Sequence, residues 1–423
     1  MTPAKGFAEM KDSGIEWVGM IPNHWTTIAN KYVMHKEKHI CEKWDGQDVL
    51  SLTMNGVIIR DILNPVGKMP TTFDGYQFAY AGELLMCLFD IDVTPRCVGR
   101  VFNDGVTSPA YSCFQLNDNA DLGYFYYYYL MVDNTKELLH LAKNLRHSFT
   151  EEQLGQLKVP LPPLQEQSAI ASYLDTQCAK IDEIIAQAKA SIEDYKQWKA
   201  SIIYEAVTKG LDPNVEMKDS GIEWIGKMPK HWQDINPKAL FSQRKERANP
   251  GDRQLTASQQ FGVIYQDEYM EMTGTKVVTV EKDFDILKYV SAGDFVISMR
   301  SFQGGLEYST KSGSISSAYV MLVPNLKLVY PRYYRWLLKS NGYIRALQST
   351  SDLVRDGQAM RYSNFAKVRL ITLPLGEQEQ IANYLDTQCA KIDKLMTEKQ
   401  SLIDDLESYK KSLIYEVVTG KRR

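Results

Sequence analysis

Apolar residues recur at alternating steps of four and three positions over two stretches of the chain, each about 45 residues long. The stretches run from about Leu164 to Thr208 and from about Leu375 to Thr419. A heptad pattern sustained this long predicts two long helices, each with a narrow apolar seam that packs on a partner helix. The alternative is an ordinary amphipathic helix on a globular core, although such helices rarely run this far without a break. The predicted seam comprises Leu174, Ile181, Ile185 and Ile192 in the first helix and Leu385, Ile392, Ile403 and Leu406 in the second.

Proline and glycine residues lie at the two ends of each stretch. A proline stands directly before each one, Pro163 in the first case and Pro374 in the second, and a glycine follows each one, Gly210 and Gly420. Proline is tolerated at the start of a helix and not in its interior, while glycine is common just past the end. These residues therefore mark where the two predicted helices begin and end.

The chain also carries an internal duplication. The ten residues YLDTQCAKID occur at 173–182 and again at 384–393, and MKDSGIEWVGMIPNHW at 10–25 returns as MKDSGIEWIGKMPKHW at 217–232 with 12 of 16 residues identical. Each half therefore has one order: a tryptophan-containing motif, a divergent segment, a proline and a long helix. We expect a pseudo-twofold internal repeat, because repeated sequence predicts repeated structural units.

The divergent segments, 26–158 and 233–369, combine strand-like apolar runs with turn residues and end in an aromatic, helix-like stretch. Strands followed by a helix predict compact α/β or α+β domains of similar fold. The aromatic run at 124–130 could be a platform for stacking bases or the buried face of a helix, and its counterpart at 330–338 favours the buried face. The predicted division is a first domain at 1–160, a helix at 161–210, a second domain at 211–372 and a C-terminal helix at 373–423.

Composition narrows the class of protein. The net charge of −3 and a pI near 6.1 argue against binding of nucleic acid by bulk charge alone. Segment 26–158 holds 12 Lys or Arg against 16 Asp or Glu, a net charge of −4, whereas segment 233–369 holds 19 against 13, a net charge of +6. Six cysteines without CxxC spacing predict a reducing, cytoplasmic setting and no zinc or other metal site, and no apolar run is long enough to span a membrane.

No catalytic signature is present. The chain lacks GxGxxG, GxxxxGK[ST], HExxH and GxSxG motifs, as well as the Asn-Pro-Pro-aromatic run of amino-methylating enzymes. An Asp/Glu and Glu-x-Lys nuclease pattern can be forced onto Glu193 to Lys196, but a solvated helix face explains these charges better. We therefore predict no catalytic residue and an activity that depends on partners.

The runs PLPPLQEQSAIASYLDTQCAKID and LPLGEQEQIANYLDTQCAKID stand at the junction of each divergent segment with its helix. In this arrangement the whole chain resembles the specificity subunit of type I restriction-modification enzymes. The resemblance implies two target-recognition domains, each binding one half of a split, asymmetric target in double-stranded DNA. It also implies that the two helices form an antiparallel coiled coil that acts as a spacer between the half-sites.

The same resemblance implies the partners. Two methylation subunits carry S-adenosylmethionine and methylate adenine, while separate restriction subunits use ATP and Mg²⁺ to translocate and cleave DNA. The specificity subunit itself holds no cofactor and is not catalytic, which agrees with the empty motif search. The alternative function is that of a pseudo-symmetric coiled-coil adaptor that clamps two protein partners and does not bind DNA.

Candidate DNA-binding residues follow from side-chain chemistry, because Arg, Asn and Gln contact base edges and Lys and Arg contact phosphates. Arg146-His147 and Arg361-Tyr362 occupy comparable places before the proline of each half, where they contact DNA or merely tie each domain to its helix. The segment RSFQGG at 300–305 contributes two further candidates, and the corresponding region of the first half contributes two more. The complete set is Arg96, Arg100, Arg146, His147, Arg300, Gln303, Arg361 and Tyr362.

Overall fold

The structure is a computed structural model, and it describes residues 9–65, 67, 69–142, 147–280, 286–350 and 360–422. Among these residues no helix is both long enough and apolar enough to cross a membrane. All six cysteines are buried and unpaired, so none forms a disulfide.

The chain forms two compact units. The first unit comprises residues 1–189 and 401–423, and the second comprises residues 190–400. Each unit thus contains one domain together with a segment of both long helices. The sequence predicted two domains and two separate helices. The two compact units divide each long helix between them, so that four-part division remains a prediction.

The first domain is built from short strands around a buried helix. Its strands are β1 (Met10–Asp12), β2 (Met20–Pro22), β3 (Thr26–Ala29), β4 (Met34–His35), β5 (Ile40–Cys41), β6 (Leu50–Thr53), β7 (Gly56–Ile59), β8 (Tyr76–Ala79), β9 (Leu84–Met86), β10 (Val98–Arg100), β11 (Gly105–Thr107), β12 (Ser112–Leu116) and β13 (Lys158–Leu161). Its helices are α1 (Leu122–Thr135) and α2 (Glu151–Gln156), with 3₁₀ turns at Asn30–Tyr32 and Glu137–His140. The long helix α3 (Leu164–Lys209) follows.

The second domain has a corresponding set of elements. Its strands are β14 (Met217–Asp219), β15 (Lys227–Pro229), β16 (Gln233–Ile235), β17 (Phe241–Gln243), β18 (Leu255–Ser258), β19 (Gly262–Tyr265), β20 (Lys288–Val290), β21 (Phe295–Ile297), β22 (Glu307–Tyr308), β23 (Gly313–Ile315), β24 (Val320–Pro324) and β25 (Leu370–Thr372). Its helices are α4 (Pro237–Leu240), α5 (Gln266–Thr273), α6 (Ser301–Gly304), α7 (Pro331–Leu337), α8 (Asn341–Gln348) and α9 (Tyr362–Phe365), and the chain continues into α10 (Leu375–Val418).

The strands of the two domains pair in the same way. An antiparallel four-stranded sheet has the order β10-β9-β12-β4 in the first domain and β22-β21-β24-β17 in the second. The pairs β8–β11, β6–β7, β3–β13 and β1–β2 correspond to β20–β23, β18–β19, β16–β25 and β14–β15. The duplication in the sequence is therefore a duplication of fold that includes the divergent segments, and the predicted fold class of two mixed α and β domains with long helices is confirmed.

The aromatic run of the first domain forms the buried face of a helix. Tyr124, Phe125, Tyr127, Tyr128 and Tyr129 on α1 are buried, with at most 4% of each residue exposed. In the second domain α7 buries two tyrosines at the corresponding place, at 333 and 334. Burial of the rings removes most of this run from contact with bases, so the interpretation as a buried helix face is confirmed.

Both long helices begin and end within one residue of their predicted bounds. Most of the predicted seam is buried, and only two of its members are partly exposed. The buried ones are Leu174, Ile181, Ile185, Leu385, Ile392 and Ile403, and the partly exposed ones are Ile192 and Leu406.

Within each unit the two helical segments run antiparallel. In the first unit Lys410 on α10 contacts Asp182 on α3, while Glu407, earlier on α10, contacts Lys189, later on α3. In the second unit Lys199 contacts Asp393, while the end of α3 lies beside the start of α10. The predicted antiparallel packing of the helices is therefore present in each unit.

Candidate nucleic-acid interface

The structure places the first group of candidate residues in equivalent loops of the two domains. Arg96 lies in the connection between β9 and β10, and Arg100 is the last residue of β10. Arg300 and Gln303 lie in the connection between β21 and β22, which contains the short helix α6. Because β9–β10 corresponds to β21–β22, one topological position of the fold presents these side chains in both units.

Arg100, which the sequence suggested as a DNA contact, forms an ion pair with a carboxylate of α3. Its guanidinium donates to both carboxylate oxygens of Asp175 on α3, at 3.1 and 2.7 Å, and lies 4.7 Å from the ring centre of Tyr126. The hydroxyl of Tyr127 donates to the same carboxylate at 2.8 Å. Arg100 therefore fastens the first domain to its helix, and contact with DNA stays a prediction for this residue.

The hydrogen bonds from Arg100 and Tyr127 lower the pKa of the Asp175 carboxyl group. Burial alone would raise the pKa of Asp175, but the hydrogen bonds from Arg100 and Tyr127 outweigh burial and hold the pKa below its ordinary value. Asp175 is consequently an anion at neutral pH and a fixed point of attachment for the domain. It is the third residue of the repeated run YLDTQCAKID.

The second unit has an anchor at the equivalent repeat residue, Asp386. Arg332 donates to it through Nε at 3.0 Å and also through Nη2, and Arg335 donates through Nη2. The indole of Trp336 adds a hydrogen bond of 2.8 Å. As in the first unit, burial would raise the pKa of the carboxyl group, and the bonds from arginine and tryptophan lower it overall.

A buried glutamine joins each domain to the start of its helix. Gln167 accepts from the backbone N–H of Asp121 at 2.8 Å and donates to the carbonyls of Asn119 and Pro162 at 3.0 and 2.9 Å. Gln378 makes the same three bonds in the second unit, with the N–H of residue 330 and the carbonyls of residues 328 and 373. Both side chains are fully buried, so the orientation of each domain on its helix is fixed at two places.

Arg96 borders an open groove of about 910 Å³ in the first unit. Its guanidinium is partly exposed and donates to the hydroxyl of Tyr126 at 3.2 Å. The cations along the groove outnumber its acidic side chains by six to four: Arg96, Arg100, Lys136, Lys189, Lys410 and Lys411 against Asp133, Asp175, Asp182 and Glu407. A groove with this excess of positive charge suits an anionic ligand.

The turn of the β6–β7 hairpin also lines this groove through Met54 and Asn55. Both residues are exposed, and Asn55 carries an amide that can donate to and accept from a base edge. The turn of the corresponding β18–β19 hairpin carries Gln259 and Gln260, and Gln259 donates to the backbone carbonyl of Arg300 at 3.3 Å. Sequence reasoning missed both turns, although an Asn-Gly pair between two apolar runs was a signal for the first.

The second group of candidates divides into several roles. His147 lies 3.0 Å from Asp92, and its carbonyl accepts from the N–H of Ile91, so it closes the loop that carries Arg96. Arg361 is exposed at the start of α9. The hydroxyl of Tyr362 donates to the carbonyl of residue 241 and its ring packs on the core, which ties its segment to the domain.

Arg146 lies outside the described residues. For the remaining candidates the structure establishes position and partners, and DNA contact stays a prediction. Among the described residues no group of three or more His, Cys, Asp or Glu side chains could hold a metal ion.

Comparison with known proteins finds similarity to DNA specificity proteins. Residues 86–194 match the family model described as type I restriction modification DNA specificity domain. The chain is 24% identical over 324 residues to a protein of Methanocaldococcus jannaschii named as the MjaX specificity subunit of a type I restriction enzyme, covering 73% of this chain and 70% of that protein. It is also 24% identical over 293 residues to the MjaVIII specificity subunit of the same organism, covering 63% of this chain and 62% of that protein.

Two solved structures share the fold. A chain from a structure of a type I R-M system aligns with a TM-score of 0.68 at 13% identity, over 95% of this chain and 99% of that chain. The HsdS subunit from Thermoanaerobacter tengcongensis aligns with a TM-score of 0.52 at 14% identity, over 95% of this chain and 98% of that chain. The resemblance to type I specificity subunits that the repeated junctions indicated is thus confirmed.

Proposed function

We propose, from the likeness of this chain to type I specificity subunits, that it is the DNA-reading subunit of a type I restriction-modification complex. Each unit binds one half of a split, asymmetric target in double-stranded DNA, and the antiparallel helices act as the spacer between the half-sites. The chain itself is not catalytic and acts in the cytoplasm. Two methylation subunits with S-adenosylmethionine methylate adenine at the target, and restriction subunits with ATP and Mg²⁺ cleave.

One observation carries this proposal. The two domains share a fold, yet they present different side chains at the equivalent hairpin turn and at the equivalent loop. The first domain offers Asn55 and Arg96 at these places, and the second offers glutamines and Arg300. One scaffold with two different polar surfaces is what recognition of two unlike half-sites requires, because base edges are distinguished by the pattern of donors and acceptors.

The junctions between the domains and the long helices also support the proposal. The anchors at Asp175 and Asp386 and the buried glutamines lie in the repeated runs, so both units fasten their domains to α3 and α10 through the same aspartate and the same glutamine of the repeat. A reading surface needs such a rigid support, since base recognition depends on side chains held within a fraction of an ångström.

The test is a genome-wide map of methylated adenines in cells with and without the gene, with neighbouring genes intact. We expect one split motif to lose its methylation on deletion, and the gap in that motif gives the spacer. The same chain, purified with its methylation subunits, should select that motif from random duplexes. A complex that binds duplexes without any sequence preference would contradict the proposal and favour a coiled-coil adaptor.

A further inference from the structure

We infer that the β18–β19 turn and α6 together form the base-reading surface of the second unit, and that the amides of this surface contact the edge of an adenine in its half-site. The side chains concerned are Gln259 and Gln260 on the turn and Arg300 and Gln303 at α6. The inference rests on the proposed function, since it names the ligand chemistry of one of the two reading sites.

The turn and the loop are held together by direct contacts. Nε2 of Gln259 donates to the carbonyl of Arg300 at 3.3 Å, and the backbone N–H of Gln303 donates to the same carbonyl at 2.8 Å. A Cβ atom on Gly304 would lie only 2.8 Å from Cδ of Gln259, so the turn crosses α6 where there is no side chain. The residues of the turn and of α6 therefore belong to one continuous surface.

This surface is exposed and carries no negative charge of its own. Gln259, Gln260, Arg300 and Gln303 are all exposed. Arg300 makes no ion pair with a described residue, whereas Arg253 in the same domain is neutralised by Asp267 and Glu268. The hydrogen-bonding groups of the cluster are thus accessible to a polar ligand that approaches from solvent.

The composition of the cluster indicates which base edges it fits. A glutamine amide places a donor beside an acceptor and matches N6 and N7 of adenine in the major groove, while a guanidinium matches O6 and N7 of guanine. Because the amide of Gln259 already donates to Arg300, the amides of Gln260 and Gln303 are the two that favour contact with an adenine. The turn of the first unit offers Met54 and Asn55 in place of the glutamines, so we expect its half-site to differ.

Two alanine variants of the purified complex with its methylation subunits test this inference, with selection from random duplexes as the assay. Gln260→Ala and Gln303→Ala remove exposed amides that make no side-chain hydrogen bond with a described residue, so the fold should survive. We expect each variant to lose about tenfold to a hundredfold of its preference for adenine at one position of one half-site. The slope of affinity against salt concentration should not change, since no charge is removed.

Asn55→Ala is the matched control. It should alter the half-site of the first unit and leave that of the second unit unchanged, and each variant thus reports on its own folding through the half-site that it does not touch. The inference is overturned if Gln260→Ala and Gln303→Ala select the wild-type motif, if they weaken all sequences uniformly, or if the position at which they lose preference specifies a base pair other than A·T. A wild-type complex without any sequence preference would instead remove the proposed function on which the inference rests.

Discussion

The anchors of the two units show how a duplicated chain keeps its junctions while its domains diverge. Asp175 and Asp386 occupy the same place in the repeated run, yet the first is held by Arg100 from β10 and Tyr127 from α1. The second is held by arginines and a tryptophan that all come from α7. The repeat therefore conserves the acceptor, and each domain supplies its own donors.

The two anchors also differ in their exposure to water. The side chain of Asp386 is 20% exposed and that of Asp175 is 43% exposed. The glutamines at 167 and 378, in contrast, make matching bonds at full burial. One junction contact is therefore equivalent in both units, whereas the other differs in its donors and in its exposure to water.

The largest loss of stability is expected on substitution of the buried glutamines at 167 and 378. Gln167→Leu and Gln378→Leu each leave one N–H and two carbonyls without a partner in a buried place. We expect each to lower the free energy of unfolding by about 3–5 kcal/mol. Hydrogen exchange of the unit concerned, or urea denaturation, should detect a loss of this size.

The control for this pair is Gln165→Leu, which changes an exposed residue two positions earlier on α3. It should alter the free energy of unfolding by less than about 0.5 kcal/mol. Unequal losses at Gln167 and Gln378 would show that the junctions differ at both contacts.

Substitution of the anchor aspartates should give the second largest loss of stability, and the loss should differ between Asp386 and Asp175. Asp386→Asn removes the charge that faces two arginines at the less exposed site, so we expect a loss of about 2 kcal/mol there. Asp175→Asn should cost about 1 kcal/mol, because water screens the more exposed pair. Hydrogen exchange along α7 and α1 would measure the two losses separately, and equal losses would show that the difference in exposure has no effect on stability.

Lowering the pH should remove the stabilisation that the carboxylates of Asp175 and Asp386 provide. Their pKa values are lowered in the folded chain, so their contribution to stability is present above 3.8, the ordinary pKa of aspartate, and is lost as pH falls below it towards the folded pKa. We expect the melting temperature of the wild type to fall more steeply than that of the double variant Asp175→Asn and Asp386→Asn over this range. Parallel curves would mean that other carboxylates dominate acid unfolding.

The smallest loss of stability is expected at the two lysines that form ion pairs between α3 and α10. Lys410 contacts both carboxylate oxygens of Asp182 at 2.7 and 2.6 Å, and Lys199 contacts those of Asp393 at 2.6 and 2.7 Å. Reversal of one charge, Lys410→Asp, should cost about 1 kcal/mol, and the added change Asp182→Lys should restore most of it.

The same exchange at Lys199 and Asp393 is the matched experiment in the second unit. Because the two pairs have the same geometry, their measured losses should agree within about 0.5 kcal/mol. A double variant that remains as destabilised as the single one would mean that the lysines act through packing of their stems and not through charge.

The long helices and the duplication could be predicted from the sequence. A heptad pattern with proline before it and glycine after it defines a helix through local chemistry and repeated burial, which depend on spacing along the chain. The repeated runs identified the junctions and, through them, the resemblance to type I specificity subunits. The helical, buried character of the aromatic run was also predictable, since it had a counterpart at the same place in the second half.

Which polar side chains share a surface depends on tertiary packing. Arg100 is 75 residues from Asp175 along the chain, and Gln259 is 41 residues from Arg300, so no local pattern joins them. The candidates predicted from the sequence therefore included Arg100, which serves as an anchor, and did not include Gln259, which lies beside Arg300. Hydrophobic periodicity fixes elements because burial acts on each segment, whereas a binding surface is fixed by the packing of segments that are far apart in the chain.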